Sequence, residues 1–155
     1  MDPTSISIGV GLAVSMLLTE LFGLAAGGMV TPGYLAIHLD RPLVVANTLL
    51  AAAVTWLIVR GLSRWIIVYG RRRTALMILV GFVVGFLMRA AGEAVAAHTT
   101  LGYTSGDLAV IGYIIPGLIA IWIERQGFLQ TNAVVLTSSA MVRLVLIVFG
   151  MGILT

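Results

Sequence analysis

The sequence predicts an all-α integral membrane protein with about five to six transmembrane segments in two repeat halves. Of its 155 residues, 60% are hydrophobic and only 10% are charged, against about 25% charged residues in soluble domains. Charge-free windows of near-spanning length recur at 3–19, 21–39, 42–59, 74–88, 108–123 and 126–142. Two of these windows also share a motif built around Pro-Gly. Together these observations exclude an ordinary water-soluble fold.

The first window, 3–19, predicts a membrane helix that stays on the chain, because the start lacks the basic region of a cleaved signal peptide. Glu20 follows it and precedes another apolar run. A carboxylate at membrane depth is costly, which makes Glu20 a candidate residue of a substrate path. The alternative is a helix-end residue whose carboxylate reaches the lipid headgroups.

The second and fifth windows contain a repeated motif. Residues 28–41 align without gaps on residues 112–125, with six of fourteen positions identical. We interpret this as a duplication within one membrane domain, 1–155, with halves 1–60 and 74–155 joined by an Arg-rich hinge, 61–73. Three crossings per half would give the halves opposite orientations. If the Pro-Gly segments only dip into the membrane, each half crosses twice and the halves are parallel.

Each copy of the motif carries a helix-breaking pair, Pro32-Gly33 and Pro116-Gly117. Proline removes a backbone donor and the following glycine tolerates a broken backbone, so both helices are expected to kink or unwind in mid-membrane. Freed backbone groups must line an interior, and matching breaks in two halves are typical of a substrate path, here one suited to an anion. The alternative is a pair of kinks that only shape packing.

The hinge region predicts the orientation in the membrane. Five arginines fall within fourteen residues, namely Arg60, Arg64, Arg71, Arg72 and Arg73. This excess places the region in the cytoplasm, with the short segment 65–69 at the interface. Arg71, Arg72 and Arg73 are candidates for docking a cytoplasmic partner, or else serve topology and headgroup contacts. Residues 40–41 and the 93–107 loop then lie outside, and residues 124–125 inside.

Four further expectations concern charged residues and glycine spacings. Arg89 and Glu93 are spaced to form a local helix pair. Arg125 ends the repeated motif and is a candidate residue of the substrate path. Arg143 lies near the middle of the last span, so it is expected to face the interior and pair with Glu20 or Glu93, or to contact an anionic substrate. The spacings Gly23-x-x-x-Gly27 and Gly81-x-x-x-Gly85 allow close helix approach.

Missing residue types exclude several kinds of chemistry. All nine basic residues are Arg, so neither a P-loop lysine nor a Schiff-base lysine is present. Without Cys there is no thiolate nucleophile, and two His sixty positions apart do not predict a metal site. The arginines do not alternate with aromatics as on a nucleic-acid surface. We therefore expect no cofactor, no metal and no nucleic-acid partner.

The sequence resembles the PgsC/CapC family, the membrane subunit of the bacterial poly-gamma-glutamate synthase of capsule biosynthesis. The matching stretches, in the order and spacing of the family, are residues 19–23, 30–36, 69–72, 116–120 and 125–127. The resemblance implies a multi-pass protein of the bacterial cytoplasmic membrane. It also implies two partners, an ATP-dependent amide ligase (PgsB/CapB) and a membrane-anchored subunit (PgsA/CapA). The ligase would activate glutamate, and this chain would support polymerisation and pass the polyanion outward.

A different reading of the same features is a small stand-alone secondary transporter for an anionic solute. An intramembrane enzyme using Glu20 is a weaker alternative, because no second catalytic group lies at a recognisable spacing.

Overall fold

The computed structural model describes residues 3–64, 70–98 and 110–149. Within these ranges the chain forms six α-helices and no strand, which confirms the all-α prediction. The helices are α1 (Pro3–Phe22), α2 (Thr31–Ile37), α3 (Pro42–Leu62), α4 (Arg71–His98), α5 (Ile115–Gln126) and α6 (Phe128–Val148). The predicted interfacial segment 65–69 and most of the predicted outer loop lie outside the described residues.

Four of the helices, α1, α3, α4 and α6, are long and apolar enough to cross a membrane. The other two are shorter, with 7 residues in α2 and 12 in α5. At 1.5 Å per residue they rise only about 10 and 18 Å, less than the roughly 30 Å of a hydrocarbon core. Neither short helix can cross the membrane alone, so a crossing at α2 or α5 would also need the non-helical residues that precede the helix. The number of crossings stays a prediction.

Both short helices begin at the repeated motif. Pro32 and Pro116 occupy the first turns of α2 and α5, where a missing backbone donor has no cost. The preceding backbone turns through left-handed glycines, with φ of 70° at Gly27, 108° at Gly28 and 57° at Gly112. The predicted helix breaks are therefore present, but on the N-terminal side of each proline. The glycines that follow the prolines are helical, contrary to the broken backbone expected there.

The first broken segment, residues 23–41, runs alongside α6 and parallel to it. At its start, Nε2 of Gln126 donates a hydrogen bond of 3.3 Å to the carbonyl oxygen of Ala25, just before α6 begins. At its other end, Asp40 forms an ion pair with Arg143, close to the end of α6. The segment therefore covers most of the length of that long helix, although only 7 of its residues are helical.

The second broken segment, residues 110–126, runs in the same way along α3. The backbone N–H of Ile111 donates to Oγ1 of Thr48 at 2.9 Å, near the start of α3. Nε1 of Trp56 donates to Glu124 at 2.6 Å, near its end. Each broken segment thus packs lengthwise on a long helix from the other half of the sequence.

Glycine pairs hold the broken segments against α1 and α4. A Cβ on Gly11 would lie 2.7 Å from Cα of Gly33, and a Cβ on Gly81 would lie 2.5 Å from Cα of Gly117. The close approach predicted at Gly81 is confirmed. Of the other predicted pair, a Cβ on Gly27 would lie 2.9 Å from the Val135 side chain, whereas nothing lies within 4 Å of a Cβ on Gly23. The same kind of contact occurs in both halves, although the duplication itself stays a prediction.

Large apolar side chains cover the outside of the bundle, as in proteins that face lipid. The interior combines apolar residues with small hydroxyl-bearing ones. Its fully buried side chains include Leu35, Ile119, Val135, Thr48, Thr55 and Ser138.

Candidate functional site

One end of the bundle, which we call the arginine end, collects most of the cations. It comprises the C-terminus of α3, the N-terminus of α4 and the C-terminus of α5. The arginines on these elements are Arg60, Arg64, Arg71, Arg72, Arg73 and Arg125. They outnumber the acidic residues there, so the arginine end is strongly positive.

At the centre of the arginine end is Glu124. Its Oε2 accepts the hydrogen bond from Trp56, and its Oε1 accepts a 2.6 Å hydrogen bond from the guanidinium of Arg73. The side chains of Arg73 and Glu124 are 29% and 25% exposed, so this ion pair is only partly screened by solvent. One carboxylate thus connects α3, α4 and α5.

A small cavity of about 190 Å³ opens beside this ion pair, lined by Gly70, Arg73, Thr74, Glu124 and Arg125 among others. Arg125 is exposed, and its guanidinium lies 5.4 Å from the centre of the Trp122 ring. The guanidinium of Arg60 lies 5.1 Å from the Trp56 ring. Guanidinium groups held over aromatic rings keep their N–H edges for anionic groups, so this surface suits a ligand or partner rich in carboxylates or phosphates.

The three predicted docking residues, Arg71, Arg72 and Arg73, have different surroundings in the structure. Arg71 and Arg72 are exposed in the first turn of α4. Arg73 instead faces α5 and is held by Glu124. Sequence reasoning did not select Glu124 as a site residue, although its place in the acid–Arg pair of the repeated motif was a usable signal.

The Pro-Gly candidates lie inside the bundle. Pro32, Gly33, Pro116 and Gly117 are all buried. The two broken segments approach each other at Gly27, where a Cβ would come within 3.2 Å of the Ile119 side chain.

Side chains satisfy some of the backbone groups that the breaks set free. Thr31 donates from Oγ1 to the carbonyl oxygen of Gly27 at 2.8 Å, and Thr48 accepts from Ile111. Other buried oxygens, on Gln126, Thr131 and Asn132, have no hydrogen-bond partner among the described residues. The interior beside the start of α6 therefore carries polar side chains.

The two remaining candidates of the predicted path lie apart from each other. Glu20 is exposed in the last turn of α1 and has no hydrogen bond or ion pair with the described residues. Arg143 pairs with Asp40 rather than with Glu20 or Glu93, and it also donates to the carbonyl oxygen of Ala36 at 3.3 Å. The reason is its place near the end of α6, beside the C-terminus of α2. A role of either residue toward substrate stays a prediction.

The predicted pairing of Arg89 with Glu93 is confirmed, at 3.8 Å. Within the described ranges, no three His, Asp or Glu side chains come together as metal ligands would.

Comparison with known proteins gives two kinds of match. A family model described as capsule biosynthesis CapC matches residues 10–132, which include both broken segments and Glu124. The chain is 32% identical over 127 residues to the PGA biosynthesis protein CapC of Bacillus subtilis (strain 168), covering 81% of each chain. It is 33% identical over 137 residues to the capsule biosynthesis protein CapC of Bacillus anthracis, covering 87% of this chain and 88% of that protein. No solved structure matches.

Proposed function

The chain belongs to the capsule biosynthesis CapC family, and from this premise we propose that it is an integral membrane subunit of a poly-gamma-glutamate synthase and export complex. It takes part in capsule polymer synthesis, supports polymerisation by a partner enzyme and passes the polyanion across the membrane. The observation that carries this proposal is the family match across both broken segments and the arginine end.

The partner enzyme is an ATP-dependent amide ligase of the CapB kind, since the chain has no Lys or Cys with which to activate a carboxylate by itself. The arginine end is the surface proposed for docking it. Arg71 and Arg72 are exposed there, while Arg73 and Glu124 hold α4 to α5 directly behind them. A further membrane-anchored subunit of the CapA kind completes the proposed complex.

The proposed topology has six crossings in the bacterial cytoplasmic membrane, with the two halves in opposite orientations. It is supported by the path of the broken segments, each of which runs along most of a long helix. The excess of Arg at one end supports placing that end in the cytoplasm. Asp40, Arg89 and Arg143 then lie near the outer surface.

A vesicle experiment tests the subunit proposal. Inverted membrane vesicles carrying this chain and its cognate ligase, given ATP and glutamate, are expected to make membrane-associated glutamate polymer and to retain the ligase on sedimentation. Vesicles without this chain are expected to lose both. Unchanged polymer and unchanged ligase retention without it would overturn the proposal.

The docking surface is tested separately with a double variant, Arg71→Gln with Arg72→Gln. Removing two exposed cations is expected to release the ligase into the supernatant, most visibly at higher salt because exposed charges are screened. The matched control is Arg71→Lys with Arg72→Lys, which keeps the charge and is expected to retain the ligase. If membranes carrying the double Gln variant still retain the ligase, then Arg71 and Arg72 are not its docking surface.

The paired breaks also favour a second candidate, a stand-alone secondary transporter for an anionic solute, because matching interruptions in two halves are typical of transport sites. The purified chain in liposomes, with no ligase present, would then move labelled glutamate down its gradient. The subunit proposal expects no such flux.

A further inference from the structure

The cavity beside the ion pair of Arg73 with Glu124, which we call the arginine-end cavity, lies between the start of α4 and the end of α5. Its volume is about 190 Å³, and its lining includes Gly70, Arg73, Thr74, Met77, Glu124 and Arg125. Arg125 is exposed, whereas Met77 is buried, so the cavity runs from a polar mouth to an apolar floor. We propose that the arginine-end cavity binds a carboxylate that has an amide N–H beside it.

The cation available to such a ligand is Arg125. Its guanidinium lies 5.4 Å from the centre of the Trp122 ring, and it forms no hydrogen bond or ion pair with the described residues. The contact with the ring occupies a face of the guanidinium and restricts its orientation, while the N–H donors at its edge stay free. Arg125 thus offers an uncompensated positive charge at the mouth of the cavity.

The α4 side of the cavity adds a second donor. Thr74 is half-buried, and its hydroxyl makes no hydrogen bond with the described residues. The first turn of α4 contains no acidic residue, so the positive end of the helix dipole is not neutralised there. The wall opposite Arg125 therefore also favours an anion.

The ion pair in the wall adds an acceptor rather than a free cation. The guanidinium of Arg73 is bound to Glu124 at 2.6 Å, which compensates both charges. Each oxygen of Glu124 accepts one hydrogen bond, from Arg73 or from Trp56, whereas an ionised carboxylate has about four acceptor sites. Glu124 can therefore accept an N–H from a ligand whose carboxylate is bound by the neighbouring Arg125.

The size of the arginine-end cavity limits what enters it. A guanidinium presents parallel N–H donors that match the two oxygens of a carboxylate. The cavity is smaller than the roughly 300–1,000 Å³ of pockets that enclose a whole small molecule. It therefore accommodates one carboxylate-bearing unit of a chain rather than a nucleotide.

The source of the carboxylate follows from the proposed function, on which this step rests. In a γ-linked glutamate chain, each unit has its free carboxylate and its amide N–H on the same carbon. Arg71 and Arg72, the residues proposed to dock the ligase, directly precede the cavity wall in α4, so the ligase would release its product beside the cavity. The phosphate of phosphatidylglycerol is another oxyanion at this depth, but it has no N–H beside it for Glu124 to accept.

The binding test uses the purified chain in nanodiscs of zwitterionic lipid and a short γ-linked glutamate oligomer, with calorimetry at physiological salt as the readout. We expect binding that Arg125→Gln weakens about tenfold or more, as loss of a hydrogen bond between charged groups does. The matched control is Arg60→Gln, which removes the same charge from the same end. Arg60 lies over Trp56 in a similar contact but does not line the cavity, so this variant should bind like the wild type. The oligomer with its carboxylates amidated should not bind.

Four outcomes would overturn the proposal. They are no oligomer binding by the wild type, equal weakening by Arg125→Gln and Arg60→Gln, equal binding by the wild type and Arg125→Gln, and equal binding of the amidated oligomer. The lipid is tested by mass spectrometry of the detergent-purified chain. If the wild type retains phosphatidylglycerol, Arg125→Gln loses it and the oligomer does not bind, then the cavity holds a lipid headgroup instead.

A labelling measurement keeps the proposal testable if Arg125→Gln does not fold. The chain has no Cys, so Thr74→Cys introduces a single thiol in the cavity wall. The oligomer is expected to slow its reaction with a thiosulfonate, and the amidated oligomer is not. The control is Gly61→Cys, an exposed position on α3 with nothing within 4 Å of a Cβ, where the oligomer should give no protection. No protection of Thr74→Cys, or equal protection of both, would contradict the site. Neither measurement needs the ligase, so failure of the complex in vesicles and failure of this site are separate results.

Discussion

Nε1 of Trp56 and Oε2 of Glu124 lie 2.6 Å apart in the structure, although 68 residues separate them in the sequence. The indole donates a hydrogen bond to the carboxylate and thereby ties the end of α3 to the end of α5. Because Arg73 binds the other carboxylate oxygen at 2.6 Å, the same group also holds the start of α4. The proposed docking surface thus rests on one carboxylate shared by three helices.

The first prediction tests the hydrogen bond between Trp56 and Glu124. Trp56→Phe keeps most of the aromatic volume but removes the donor, so it should destabilise the chain by about 1.5–3 kcal/mol, as loss of a hydrogen bond to a charged group does. The matched control is Trp122→Phe. The guanidinium of Arg125 lies over the Trp122 ring, as that of Arg60 lies over Trp56, but Trp122 donates no hydrogen bond to the described residues. Unfolding in detergent, followed by circular dichroism, measures both. Equal losses would contradict a specific role for the bond.

The second prediction concerns the ion pair at the opposite end. The side chain of Asp40 is 51% exposed in its pair with Arg143, and exposed pairs contribute at most about 1 kcal/mol. Asp40→Asn should therefore change stability by less than about 1 kcal/mol, while Glu124→Gln should cost more because it weakens two hydrogen bonds to one carboxylate. The same unfolding measurement compares the two variants. A larger loss of stability for Asp40→Asn than for Glu124→Gln would contradict the prediction that the Glu124 interactions contribute more.

Several features of the fold followed from the sequence because they depend on local rules. Apolar windows without charges predicted the long helices, and the Pro-Gly motifs predicted two interruptions. Proline restricts its own turn whatever surrounds it and favours the first turn of a helix, so the breaks just before Pro32 and Pro116 are visible in the sequence. The i, i+4 pair of Arg89 with Glu93 is local in the same sense.

Other features depend on which helices meet, and a single sequence does not specify that. Arg143 was expected to pair with an acid of another span, but the end of α2 brings Asp40 to it. Gly33 was expected to relax the backbone, yet it is helical and allows α1 to come close. The roles of Trp56 and Glu124 likewise appear only once α3 and α5 are placed side by side.

The third prediction concerns the backbone at the second break. Oγ1 of Thr48 accepts the N–H of Ile111 at 2.9 Å, and Thr48 is fully buried. Thr48→Val keeps the shape but leaves that donor unsatisfied, which should cost about 1–3 kcal/mol.

Thr55 provides the control for Thr48, since it is equally buried on the same helix and its hydroxyl only donates to the carbonyl oxygen of Ala51. Thr55→Val should be nearly neutral. Amide hydrogen exchange at Ile111 should speed up in the Thr48 variant alone, and equal exchange in both variants would show that this bond does not hold the break.

The fourth prediction uses two glycines of α1 with different surroundings. A Cβ on Gly11 would lie 2.7 Å from both Cα and N of Gly33. These are backbone atoms, which cannot rotate away, so Gly11→Ala must push α1 off α2 and should cost at least the roughly 1–3 kcal/mol of an overpacked core. Nothing lies within 4 Å of a Cβ on Gly9, so Gly9→Ala should be neutral or slightly stabilising, because alanine favours the helix. Thermal unfolding in detergent compares the two variants. If the Gly11→Ala and Gly9→Ala variants unfold at the same temperature, then the close contact of Gly11 with Gly33 is not needed to hold α1 against the first broken segment.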